Sequence, residues 1–250
     1  MTQSKKQGKS ILAIFAHPDD EAFSVAGSFA KYAKVGVQTA LVTATFGQVG
    51  STRHIKKDQD LGKVRKAELE KCAKLLKIRH LYLLGYPDGQ LHHANQTELT
   101  IKIEKIIKME NPNVIITFGP DGITGHVDHV VIGTVTTKVF TKVCNKKYQR
   151  LLYVAPIIEN DRNLKPELTP NLSVTGQKYI TRHKRVDIDV VIDISQVWQT
   201  KLAAIKCHFS QDDVRQYFKK IKKRPVFEET FILKGGSKFK QKPASDFFQV

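Results

Sequence analysis

Five short apolar runs separated by segments of helical period leave this chain few folds to choose from. The runs are SILAIFA (10–16), VQTALVTATF (37–46), HLYLLG (80–85), NVIITFG (113–119) and RLLYVAP (150–156). Nearly continuous apolar runs of this length suit strands covered on both faces. Between them, apolar residues recur every three or four positions, which predicts helices near 20–35, 61–77, 96–109 and 126–143. Strands alternating with helices predict an α/β fold: a Rossmann-like, mostly parallel sheet with helices on both faces. After residue 156 the pattern changes. NDRNLKPELTPNLSV (160–174) is irregular, RVDIDVVIDIS (185–195) alternates like an antiparallel edge strand, and QVWQTKLAAIKCHFS (196–210) reads as helix. The last 30 residues are basic and show no clear period. No repeat or clean linker divides the chain, so a single domain over 1–250 is expected, with a core at about 10–156 and a C-terminal elaboration at about 157–250.

Composition narrows the class further. With 41% hydrophobic and 26% charged residues the chain reads as an ordinary soluble globular protein. No apolar stretch approaches the roughly 18 residues of a membrane span, and the start, MTQSKKQGKS, does not read as a signal peptide. Cys72, Cys144 and Cys207 are odd in number and far apart, which fits reduced thiols in a cytoplasmic protein. The net charge of +17 can attract nucleic acid, an anionic membrane surface or an acidic substrate. Its basic clusters are scattered and are not interleaved with aromatic residues, so a solvated surface is the better reading and nucleic acid is not the expected partner.

The first run ends in FAHPDDEAF (15–23), where His17, Asp19, Asp20 and Glu21 exceed what a turn or a helix cap requires. A second polar cluster, GPDGITGHVDH (119–129), follows the run NVIITF. Either cluster alone reads as a cap or a polar turn. In a doubly wound sheet, however, the first and fourth strands commonly lie side by side, and ligands bind beyond their carboxyl ends. The facing set would then be His17, Asp19, Asp20, His126, Asp128 and His129. Two histidines and a carboxylate with one open position make a hydrolytic metal site. The remaining groups could act as a base and as a donor to a developing oxyanion.

AHPDDE (16–21) after a strand, with TGHVDH (124–129) opening a later helix, resembles the PIG-L/LmbE-like family of zinc-dependent N-acetylglucosamine deacetylases. The resemblance runs through residues 10–140 and takes in TATFGQVG (43–50), RKAELEKCAKLLKI (65–78) and GYPDGQL (85–91), with HFSQ (208–211) near the C-terminus. It implies that His17, Asp20 and His129 bind Zn2+, a set that Fe2+ or Co2+ could also occupy. It further implies that Asp19 is the general base and then the acid. His126, supported by Asp128 and kept charged by it, would hydrogen-bond the oxyanion. Arg65 and Asp88 match positions that contact sugar hydroxyls. The implied partner is a small amino-sugar substrate, and the family's habit of assembling leaves room for a homo-oligomer. Gln48 stands where many members carry an acid, and Thr124 where some carry a tyrosine. Glu21 has a sufficient explanation as an acid in a helix first turn. Two other readings stay open: a zinc amidase acting on non-sugar amides, and a basic nucleic-acid-binding protein with a vestigial site.

Overall fold

The computed structural model describes residues 8–156, 183–221 and 225–249. The irregular stretch 160–174 lies outside them. Five strands, β1 (Ser10–Phe15), β2 (Gln38–Thr45), β3 (His80–Tyr86), β4 (Val114–Thr117) and β5 (Arg150–Val154), pair in parallel in the order β3-β2-β1-β4-β5. Every residue of β1 is buried, which is why its sequence lacks alternation. The strand order reverses at β1, where Ile11, Leu12 and Ala13 stand opposite Val114, Ile115 and Ile116 of β4. The switch point therefore lies between the two strands that carry the polar clusters.

Right-handed crossovers place α2 (Ala26–Lys34) and α3 (Leu61–Leu75) on one face of the sheet. They place α4 (Gln96–Glu110) and α5 (Val127–Val143) on the other, where these two pack on each other. The N-termini of α3 and α4 are capped by side chains: Asp60 accepts from Lys63 N, and Asn95 from Thr97 N and Glu98 N. A Cβ on Gly133 would sit 2.5 Å from the Phe118 carbonyl oxygen, so this glycine lets α5 lie against the end of β4.

The helix expected over 20–35 is interrupted. Val25, at φ −138° and ψ 1°, divides it into α1 (Asp20–Ser24) and α2. Such a break strands backbone groups that an unbroken helix would pair. The Phe23 carbonyl accepts from Lys201 Nζ at 2.8 Å, and the amides of Gly27 and Ser28 donate to the two oxygens of Glu229 at 2.9 and 2.8 Å. Lys201 and Glu229 are buried and paired with each other, so one ion pair from the C-terminal part fills the gap.

That C-terminal part continues the sheet. The alternating segment 185–195 yields an antiparallel edge strand as expected, β6 (Val190–Asp193), shortened by a 3-10 turn at Arg185–Asp187. The helix expected over 196–210 is α6 (Trp198–Cys207), which packs on α2 and α3. Two elements had no forecast: α7 (Asp212–Ile221) and β7 (Glu228–Gly236). Antiparallel to both neighbours, β7 inserts between β5 and β6, which gives a seven-stranded sheet among the described residues. No helix of the described residues is long and apolar enough to cross a membrane.

Candidate metal centre

HPDD leaves the carboxyl end of β1, and the loop into α5 leaves that of β4. The two clusters meet there. His17 Nδ1 lies 3.1 Å from His129 Nε2. Asp20 Oδ1 is 3.3 Å from His129 Nε2, and its Oδ2 is 3.8 Å from His17 Nδ1. Two imidazoles and one carboxylate thus turn donor atoms toward a common point.

The remaining atoms of this set are engaged elsewhere. His17 Nε2 faces Asp88 Oδ1 at 3.0 Å and Asp128 Oδ2 at 3.2 Å, while His129 Nδ1 faces the Gly122 carbonyl at 2.9 Å. With a metal at the centre, each ring can give its outer N–H to one of these acceptors and turn a lone pair inward, the arrangement typical of metal-ligating histidines. Asp20 Oδ2 accepts the amides of Ala16 and His17 at 3.1 and 2.8 Å. Phe118 stacks on the His129 ring, with centroids 4.1 Å apart and planes 10° apart, and holds its orientation. Burial lowers the pKa of His17, but hydrogen bonds to Asp128 and Asp88 and the charge of Asp20 outweigh it and raise it to about 10. Burial would raise Asp20, and His129 and His17 instead hold it well below the usual carboxylate range. The cluster favours positive charge at its centre. This donor set fits a divalent transition metal with an open position.

Asp19 stands beside the centre in an unusual backbone conformation, at φ 104° and ψ −25°. A non-glycine residue held there costs about 1–3 kcal/mol and persists only where surrounding contacts impose it. Arg65 is one such contact: its Nη2 donates to Asp19 Oδ2 at 2.9 Å and to the Pro18 carbonyl, and its Nη1 to the Gly47 carbonyl at 3.0 Å. Gly47 has φ 65°, a conformation strained for other residues, and a Cβ there would lie 2.1 Å from Arg65 Nη1 and push the guanidinium out of place. Burial raises the Asp19 carboxyl to about 6, although Arg65 pulls the other way.

Four sequence expectations meet a different geometry here. The Asp128 carboxylate is not turned to the His126 side chain: it accepts Gly89 N at 2.7 Å and Leu91 N at 3.0 Å and faces His17. Nor is His126 kept charged. Burial, followed by the positive fields of His17 and His129, pushes it down to about 4, outweighing Asp128. His126 caps α5, with Nδ1 accepting the Asp128 amide at 3.2 Å, so the neutral ring carries its proton on Nε2. Arg65, only 5% exposed, spends its guanidinium on the protein rather than turning it outward. Asp88 is likewise turned inward, with Oδ2 accepting Val49 N at 2.9 Å and Oδ1 on His17.

Sequence reasoning gave Glu21 no part beyond a helix acid, and it identified HFSQ only as a match. Glu21 is fully buried, with one oxygen 2.6 Å from His208 Nε2 and the other accepting the Asp19 amide at 3.1 Å. Ser210 donates to Glu68 through its amide and hydroxyl, and Gln211 Oε1 accepts Ser51 N at 3.0 Å. HFSQ thereby ties α3, the loop after β2 and the metal-side turn together. The available signal was local: His208, Ser210 and Gln211 follow directly on the last turn of α6.

Comparison with known proteins identifies the family. The sequence model of the PIG-L family, described as GlcNAc-PI de-N-acetylase, matches residues 12–140. A probable N-acetyl-alpha-D-glucosaminyl L-malate deacetylase 2 of Bacillus cereus is 30% identical over 211 residues, covering 82% of this chain and 84% of that protein. A 1D-myo-inositol 2-acetamido-2-deoxy-alpha-D-glucopyranoside deacetylase of Thermomonospora curvata is 33% identical over 153 residues, covering 52% of each chain. Among solved structures, N,N'-diacetylchitobiose deacetylase from Pyrococcus horikoshii aligns with a TM-score of 0.63 at 23% identity, covering 91% of this chain and 84% of that one. GalB, a 4-carboxy-2-hydroxymuconate hydratase from Pseudomonas putida, aligns with a TM-score of 0.67 at 15% identity, covering 93% and 99%. A deacetylase and a hydratase share the fold, so the fold alone does not fix the reaction.

Proposed function

The chain belongs to the PIG-L family, and from that membership we propose a metal-dependent hydrolase that removes the N-acetyl group from an N-acetylglucosamine-type substrate. One observation carries the reading: His17, Asp20 and His129, from motifs more than 100 residues apart, turn three donor atoms toward a common point. In this reading those three residues hold the metal, Zn2+ first and Fe2+ or Co2+ as alternatives. When bound, the metal supplies Lewis acidity to the amide oxygen and acidifies the attacking water.

The protein's own groups then have distinct tasks. Asp19 takes the proton of the attacking water and returns it to the departing amine, so that water and amide become acetate and a free amine. A carboxyl raised to about 6 suits both directions of transfer near neutral pH. Neutral His126 presents Nε2–H to the carbonyl oxygen as it gains charge, and Arg65 fixes the Asp19 carboxylate. The relatives named for malate and inositol conjugates point to a glycoside, and the net charge of +17 favours an anionic aglycone. The unpaired cysteines suit a reducing compartment and a cytoplasmic location. A zinc amidase on non-sugar amides is the second reading. It draws support from Arg65 and Asp88, whose inward orientation leaves no sugar contact identified.

The test is acetate release from N-acetylglucosamine and its neutral and anionic glycosides by zinc-loaded, chelated and Asp19→Asn protein. Zinc-dependent release is expected, with kcat lowered about 10²–10⁴-fold in Asp19→Asn at unchanged zinc content. Zinc-loaded wild type that releases acetate from none of these sugars would move the reading to the amidase. Full turnover by Asp19→Asn would remove Asp19 as the base.

A further inference from the structure

Arg65 secures the carboxylate end of Asp19, and a second set of contacts secures its peptide end. The Asp19 amide donates to Glu21 Oε2 at 3.1 Å, and its carbonyl accepts from Ala22 N and Phe23 N at 2.9 and 3.1 Å. A first-turn helix acid usually points its carboxylate at solvent, whereas Glu21 has 0% exposure. Its other oxygen meets His208 Nε2 at 2.6 Å, and His208 too has 0% exposure. His208 stands just beyond the end of α6, 187 residues from Glu21, and the neighbouring contacts of Ser210 with Glu68 and of Gln211 with Ser51 fix its place. Cys72, fully buried, brings its thiol to within 4.8 Å of the Glu21 and His208 polar atoms and closes the enclosure.

We infer that Glu21 and His208 are a positioning pair that holds the Asp19 peptide at positive φ and so aims the base. The inference rests on the reading of Asp19 as the general base. Glu21 supplies the acceptor that the turn needs, and His208 orients that acceptor from the opposite side. Neither residue reaches solvent, so both act through Asp19 and not on the substrate. Losing either frees the turn to relax toward an ordinary helical start, which swings the Asp19 carboxylate away from the open position.

The experiment uses full-length, zinc-loaded protein carrying Glu21→Ala, Glu21→Gln or His208→Ala. The glutamine keeps an acceptor for the Asp19 amide and an amide group for His208. Steady-state kinetics, bound zinc and the hydrogen-exchange rate of the Asp19 amide are measured on each. Both alanine variants are expected to lose about 10–100-fold in kcat, the usual scale for a supporting hydrogen bond. KM and zinc content stay near wild type, the Asp19 amide exchanges faster, and Glu21→Gln restores most of both kcat and protection. Wild-type kcat in folded alanine variants would overturn the inference, as would zinc loss in proportion to kcat or a Gln variant no better than Ala. If the alanine variants do not fold, Glu21→Gln and His208→Gln decide by the same readouts. If wild type turns over no amide, the function reading fails, and Asp19 amide exchange alone decides the pair: unchanged exchange in the variants overturns it.

Discussion

The parallel half of the molecule and its antiparallel C-terminal half divide the work around the site. The first half, residues 10–154, carries each proposed ligand and the proposed base, all at the strand ends beside the β1/β4 switch point. The second half contributes none of these. Its buried polar groups instead point back into the first half: Lys201 and Glu229 fill the break between α1 and α2, and His208 backs Glu21. A switch point supplies the place where the two clusters meet, but the turn that carries the proposed base is tied down by chain almost 200 residues downstream.

The sharpest way to break this division is Lys201→Met. It leaves the Glu229 charge buried and unpaired, which is expected to cost about 3–5 kcal/mol. At roughly 2–4 °C per kcal/mol for a chain of this size, thermal unfolding should fall by about 6–20 °C. The kcat of the folded fraction should barely change. A fall in kcat without a fall in unfolding temperature would show that the second half takes part in the chemistry itself.

Asp88→Asn probes the first half with a smaller effect. The carboxylate–His17 contact holds Asp88 down to about 2 against the upward pull of burial. An amide facing His17 Nε2 should weaken zinc binding about 10–100-fold with little change in KM at saturating zinc, measured by competition with a chromogenic chelator. A raised KM with zinc affinity intact would return Asp88 to the sugar contact that the sequence suggested.

The smallest effect lies at the seam between the halves, where Asp212 of α7 receives Ser51 Oγ at 2.9 Å and pairs with His54 and Arg53. Burial would raise this carboxyl, but His54, Ser51 and Arg53 hold it below the usual range. A depressed folded-state pKa means that the contribution is present above the unfolded value, near 3.9, and is lost as pH falls through the folded one. Proteolysis of the loop over residues 47–60 should therefore quicken below about pH 4. Asp212→Asn at pH 7 should cost less than about 1 kcal/mol, and its difference from wild type should vanish at low pH. Equal proteolysis of this loop at pH 3 and pH 7 would show that Asp212 does not dock it.

The same division governs how much was legible in the sequence. β1 to β5 announced themselves because strands buried on both faces are continuous apolar runs, and HPDD and GHVDH mark the strand ends that meet. β7 did not, because TFIL inside a basic stretch gains its meaning from pairing with β5, some 80 residues earlier. The break at Val25 was hidden for a similar reason: local period favours one helix, and the groups that satisfy the break come from residues 201 and 229. Arg65, Asp88 and Asp128 were found by position, but their partners were not. A motif gives residue identities, whereas a side chain's direction depends on which acceptors the fold brings within reach.

The φ of 104° at Asp19 bears on the history of such a protein as well as on its reaction. Asparagine, aspartate and glycine enter this backbone region more readily than other residues. A descendant that gave up hydrolysis but kept its fold would thus drift first to asparagine or glycine at position 19, while the neighbouring Glu21 stayed in place to serve the turn. A copy with asparagine at that position and an intact Glu21 would record lost chemistry on a preserved scaffold, whereas loss of both acids would record decay of the turn itself.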